Sequence, residues 1–131
     1  MGINHSRSAF RVYVENEENL EIELYIDQQP LNNVRIINLS TEGLKLSFDE
    51  ADTTTIEKHR LFEDCIIRLP NGEDIDCRIQ LSNLYRIRTP HPHTLGGGKL
   101  TINNAQQRVK LQQYIAAIQR KQRRRETRDH Y

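Results

Sequence analysis

The sequence predicts a mainly β protein: a six- to seven-stranded antiparallel β-barrel followed by one long C-terminal α-helix. Three observations carry this. Short apolar–polar alternations recur through the first hundred residues, separated by turn-forming residues. After Asn104 the apolar positions switch to helical spacing and keep it. With 131 residues, 36% of them hydrophobic and none tryptophan, the chain can bury one modest core of Ile, Leu and Val.

The elements follow in order. Residues 1–9 are polar and without period, so residues 1–12 read as a flexible N-terminal arm. The barrel is expected over 10–103, the helix over 104–126 and a basic tail over 127–131. Phe10, Val12 and Val14 alternate with polar residues, and Leu20, Ile22, Leu24 and Ile26 share one face of a half-buried strand. Residues 28–33, with Pro30, are expected to turn. Strands at 34–39 and 44–48 flank a turn at 40–43. Residues 51–62 read as an irregular connection with one helical turn.

Pro70-Asn71-Gly72 predicts a hairpin with a three-residue loop, Pro setting φ at its start and Gly supplying positive φ at its end. That loop pairs Leu69 with Glu73, Ile67 with Ile75 and Cys65 with Cys77, placing all the apolar members on one face. The two cysteines are expected opposite each other, buried and reduced. Residues 84–88 either continue the second strand or start another. Residues 90–94 read as a loop, and Gly96, Gly97 and Gly98 as the lead into a last strand at 99–102. Asn103 or Asn104 caps the helix. Val109, Leu111, Tyr114, Ile115 and Ile118 form its apolar stripe. Beyond Ile118 the apolar positions stop, so the last turns are expected to project into solvent or meet a partner.

The net charge of +1 conceals an asymmetry. From Asn104 onward eight Arg or Lys face only Glu126 and Asp129, a balance of +6 that leaves −5 on residues 1–103. No apolar run approaches the roughly 20 residues of a membrane span, and residues 1–10 lack the apolar segment of a signal peptide. A cytoplasmic location is expected. His91 and His93 stand far from both cysteines, without the paired spacing of a zinc site. No nucleophile elbow or phosphate-cradling Walker loop is present. Neither an enzyme nor a bound cofactor or metal is expected. A nucleic-acid-binding barrel using the Arg120 to Arg128 tail is a less favoured alternative, because the body is acidic and the strands lack the interleaved aromatics that stack bases.

Two stretches carry chemistry. Arg7 and Arg11 place two guanidinium forks four residues apart, able to bind phosphate bidentately, stack on purines and pair with a guanine edge. The segment Asn38-Leu39-Ser40-Thr41-Glu42-Gly43 offers two short hydrogen-bonding side chains and a glycine that suits a turn with positive φ or a ligand close to the backbone.

Arg-x-x-x-Arg followed at this distance by Asn-x-Ser-x-x-Gly within a strand-turn-strand resembles the PilZ domain family. Gly97-Gly98-Lys99-Leu100 is similar to the Gly-x-basic-apolar segment of that family's late strand, and the Ile115 to Arg120 stretch to its helix. The resemblance spans roughly residues 5–125. It implies a six-stranded barrel that binds cyclic di-GMP, a bacterial second messenger, with Arg7 and Arg11 gripping phosphates and guanines. Asn38, Ser40 and Gly43 would hold a guanine at the barrel surface. It further implies a switch that signals to a protein partner in motility, biofilm or polysaccharide output, such as a flagellar-motor or polysaccharide-synthesis component. Ser6 stands where many members carry another arginine, which leaves open whether one ligand or an intercalated pair is bound.

Overall fold

The structure is a computed structural model describing residues 12–14, 19–49, 56–57, 60–88 and 90–129, with side chains to Arg125. Arg7, Arg11 and most of the expected arm lie outside the described residues, as do Phe10 and most of the connection after Asp49.

Seven strands form one antiparallel sheet in the order β1 (Val12–Tyr13), β5 (Arg35–Leu39), β6 (Gly43–Asp49), β9 (His93–Thr101), β8 (Asp74–Ile87), β7 (Leu61–Arg68) and β2 (Glu21–Glu23). A two-stranded ribbon of β3 (Tyr25–Ile26) and β4 (Gln29–Pro30) adjoins it. The sheet curls into a half-barrel, β2 coming into contact with β5. Its concave side holds Leu39, Leu44, Leu46, Phe48, Phe62, Ile67, Ile75 and Ile79, all essentially inaccessible to water. Burying each such side chain contributes about 1.5–3 kcal/mol.

The hairpin at Gly72 has the expected register. Leu69 N–H donates to Glu73 O at 2.8 Å, Gly72 N–H to Leu69 O at 3.0 Å, and Gly72 has φ 93°. Cys65 lies opposite Cys77, and both are free and buried. The Cys77 thiol is pushed upward by its hydrogen bond to Cys65, then by burial. Leu20, Ile22, Leu24 and Ile26 point inward as read, although the turn sits one residue early. Asp27 and Gln28 have φ of 51° and 68°, so the chain reverses there and residues 29–30 already belong to a strand.

One expectation is corrected and one choice left open is decided. The three glycines are no lead-in: they form the middle of β9, paired on one side with β6 and on the other with β8. A Cβ on Gly96 would lie 3.1 Å from Leu84 Cδ2 and Phe48 Cε2, and one on Gly98 2.6 Å from Gln80 O. The large side chains and backbone of neighbouring strands occupy that space. β8 is one 14-residue strand with a bulge at Ser82, which lets both Leu81 and Leu84 turn toward the core. Asn83 fixes the bulge by accepting Gly97 N–H at 3.2 Å, and Ser82 Oγ donates to Gly97 O at 3.2 Å.

α1 (Ala105–Asp129) closes the concave side through Leu111, Ile115 and Ile118, with Tyr114 half-buried beside them. Val109 is exposed, against the stripe read from sequence. Two residues before Leu111 it lies about 200° around the helix, on the opposite side. Asn104 is the cap: its Oδ1 accepts Gln107 N–H at 3.0 Å. Gln107 ties the helix start to β8, accepting Asp76 N–H at 2.8 Å, and Lys110 pairs with Glu73 of the hairpin. That ion pair holds Glu73 below the usual carboxylate range.

Candidate functional site

The Asn38 to Gly43 segment folds as strand, tight turn, strand. A bulge at Ile37 shifts the register of β5 against β6, so that Ile36 faces Leu46 inside and Asn38 faces Lys45 outside. Without that extra residue Asn38 would share the core face with Ile36. Asn38 also lies opposite Tyr13 of β1, and Val12 opposite Leu39. β1 therefore runs along the end of β5 that carries the turn.

Ser40 makes the turn. Its Oγ accepts Gly43 N–H at 3.0 Å and Glu42 N–H at 3.2 Å, and donates to Gly43 O at 3.2 Å. Ser40 N–H donates to the same Gly43 carbonyl at 2.8 Å. With Ser40 only 2% exposed, its hydroxyl is engaged by the protein itself. Gly43 opens β6 opposite Lys99. Among the described glycines positive φ belongs to Gly72, so the left-handed geometry expected of Gly43 is not its role. Gly43 lies on the outer side of the sheet, and its backbone is buried beside the turn. Glu42 O accepts Leu100 N–H at 2.9 Å, docking the turn onto β9.

Cross-strand pairing extends this site over the outer face. Tyr13, Asn38, Lys45, Gly97 and Asn83 form one row across β1, β5, β6, β9 and β8, and directly opposite residues point to the same side. Gly43 and Lys99 belong to the next row on that side. The arrangement is a shallow strip with exposed Tyr13, nearly buried Asn38 and the turn toward one end, Gly97 under the Asn83 amide and two ammonium groups, Lys45 and Lys99, on strands β6 and β9. Exposed Glu42 is the acidic residue at the turn.

Of the predicted site residues, Asn38, Ser40 and Gly43 are brought together, and Arg7 and Arg11 fall outside the described residues. Sequence reading missed Lys45, Asn83 and Tyr13. Lys45 was legible from its position between inward Leu44 and Leu46, whereas Asn83 depends on the bulge. Elsewhere a cleft of about 360 Å³ is lined by Tyr25, Glu63, Asp64, Asp76, Arg78 and the cysteine pair. Among the described residues no group of three His, Cys, Asp or Glu could hold a metal ion, and no helix is long and apolar enough to cross a membrane.

No protein-family model and no curated protein matches the sequence. Solved structures do match in fold. A K. pneumonia MrkH–c-di-GMP complex superposes with a TM-score of 0.74 at 9% identity, over 95% of this chain and 55% of that one. K. pneumonia MrkH in its apo state gives 0.73 at 11% identity, over 88% and 52%. A further MrkH structure, described as a c-di-GMP-dependent transcription regulatory factor, gives 0.70 at 9% identity, over 84% and 49%. The chain thus spans about half the length of MrkH. At these identities the likeness is one of fold.

Proposed function

We propose that this chain is a cyclic di-GMP receptor of PilZ type, a binding module that passes ligand occupancy to a partner. The observation that carries the reading is the pairing of β1 with β5. Arg11 is one peptide bond from Val12, whose cross-strand partner is Leu39, and this nearness, along the chain and then across the strand pair, to Asn38, Ser40 and Gly43 supports a shared site. The fold shared with a c-di-GMP complex supports it.

In this reading Arg7 and Arg11 neutralise the two phosphates and address guanine edges, as bidentate guanidinium groups do. Asn38, between Tyr13 and Lys45 in its row, hydrogen-bonds a base lying over the turn that ends at Gly43. Ser40 shapes the turn that presents both. Lys45 and Lys99 add positive charge along the strip.

The ligand joins the arginines of the arm to the strip, and β1 carries the change onward. The Tyr13 carbonyl accepts Gln122 Nε2–H of α1 at 2.8 Å, tying the strand next to the arm to the C-terminal half of the helix. Partners in motility, biofilm or polysaccharide output are what the family resemblance adds to this reading.

Calorimetric titration tests it. Cyclic di-GMP binds wild type with micromolar or tighter affinity, and the Arg7→Ala/Arg11→Ala variant loses that binding while staying folded. A folded wild-type protein that evolves no binding heat refutes the receptor reading and leaves a protein-interaction scaffold.

A further inference from the structure

The C-terminal half of α1 contains Arg120, Lys121, Arg123, Arg124 and Arg125, and the receptor reading uses none of them. Taking about 100° per residue, Arg120, Arg123 and Arg124 fall within an arc of about 100°, with Lys121 and Arg125 about 60° and 100° beyond its edge. Leu111, Ile115, Ile118 and Gln122 occupy the opposite side, and the structure shows what each does there. The three apolar residues are buried in the core and Gln122 donates to Tyr13 O. The basic side therefore faces away from the sheet, and Arg120, Arg123, Arg124 and Arg125 are exposed. Beyond Ile118, the last residue buried in the core, the helix continues to Asp129, a rise of about 16 Å.

We infer that this projecting basic face is an interaction surface for double-stranded DNA, the helix end entering the major groove with its guanidinium groups on backbone phosphates. Charge and shape both favour this occupant. Four of the five cations are arginine, whose planar fork matches phosphate and which is less hydrated than lysine. An α-helix about 10–12 Å across fits a major groove about 12 Å wide. The remainder of the chain, residues 1–103, carries −5 and repels a polyanion, so contact is confined to the element that extends away from it. Here the helix end acts without the β strands, whose acidic charge and lack of stacking aromatics argued against a nucleic-acid-binding barrel that used this tail, and the surface stands or falls independently of cyclic di-GMP.

The test is a salt titration of the full chain against a 24-base-pair duplex DNA of mixed sequence and a duplex RNA of the same sequence, followed by fluorescence anisotropy. Five phosphate contacts give a slope of log K against log salt near −4.5, a loss of about 500-fold between 50 and 200 mM. In Arg120→Gln/Arg123→Gln/Arg124→Gln two contacts remain and the loss over that range shrinks to about 12-fold. Glutamine keeps the helix propensity, which circular dichroism verifies. Binding by the DNA, alone or together with the RNA, supports the surface, whereas binding by the RNA alone, whose major groove is too narrow for a helix, overturns it. The inference is overturned by absence of duplex binding at 50 mM salt, or by binding that the triple variant retains unchanged. It is equally overturned if the wild type fails on duplexes but binds polyglutamate, anionic vesicles or a second copy of itself through these arginines. Cyclic di-GMP titrated into the same triple variant separates this outcome from the receptor reading, which predicts unchanged ligand affinity.

Discussion

Ser40→Ala tests whether the motif serine builds the turn or reaches for the ligand. Removing Oγ leaves two backbone N–H groups without their acceptor. Glu42 is exposed and its amide regains a water, so little is lost there. Gly43 is buried, and stranding its N–H costs about 1–3 kcal/mol, partly offset by no longer burying a hydroxyl. The net is about 1–2 kcal/mol. Unfolding entropy near 2.1 cal/mol/K per residue gives about 0.28 kcal/mol/K for 131 residues, so Tm falls by about 4–7 °C. Differential scanning calorimetry reads this directly. Asn38 and Gly43 keep their strand partners, so cyclic di-GMP affinity, where present, falls by less than tenfold. An unchanged Tm together with a larger loss of affinity would show the hydroxyl facing the ligand, refuting the turn-building role.

Two further outcomes rest on other contacts. Gly98→Ala forces a Cβ to 2.6 Å from Gln80 O and 3.0 Å from Leu81 Cα, backbone that cannot step aside. It is expected to destabilise by about 3 kcal/mol or more. Gly97→Ala meets only the Asn83 side chain, and is expected to cost about 1 kcal/mol or less; denaturant midpoints of the two variants measure the contrast. Glu73 is held ionised by Lys110 in the folded state, so its contribution is present above the unfolded carboxylate pKa of about 4.3 and is lost as pH falls through the lower folded value. Thermal melts from pH 6 to pH 2.5 should show the decline of wild type shallower in Glu73→Gln, and identical slopes would discount the pair.

Much of this protein was written locally. Period-2 alternation placed Ile22, Leu24, Ile26, Leu44, Leu46 and Phe48 inside, because a strand's side chains alternate whatever the sheet around them. Pro70-Asn71-Gly72 determined its own loop, and with it the Cys65–Cys77 register. Asn103 and Asn104 announced the helix start, and Asn104 caps it through a side chain that reaches only three residues ahead. Ser40 and Gly43 marked a turn for the same reason. Wherever a few neighbouring residues close their own hydrogen bonds, the sequence was sufficient.

The tertiary structure decided what depends on distant chain. Gly96, Gly97 and Gly98 look like a loop in isolation, and become a strand because β6 and β8 bracket them and fill the room that side chains would need. The bulges at Ile37 and Ser82 reverse the facing of everything beyond them, so no local period could put Asn38 and Asn83 in one outer row with Lys45. Exposure of Val109 follows from the rotation at which Leu111, Ile115 and Ile118 meet the sheet. The candidate site belongs to both levels: its residue types and turn are local, while its strip of backbone, amides and ammonium groups exists only because five strands align their outward positions.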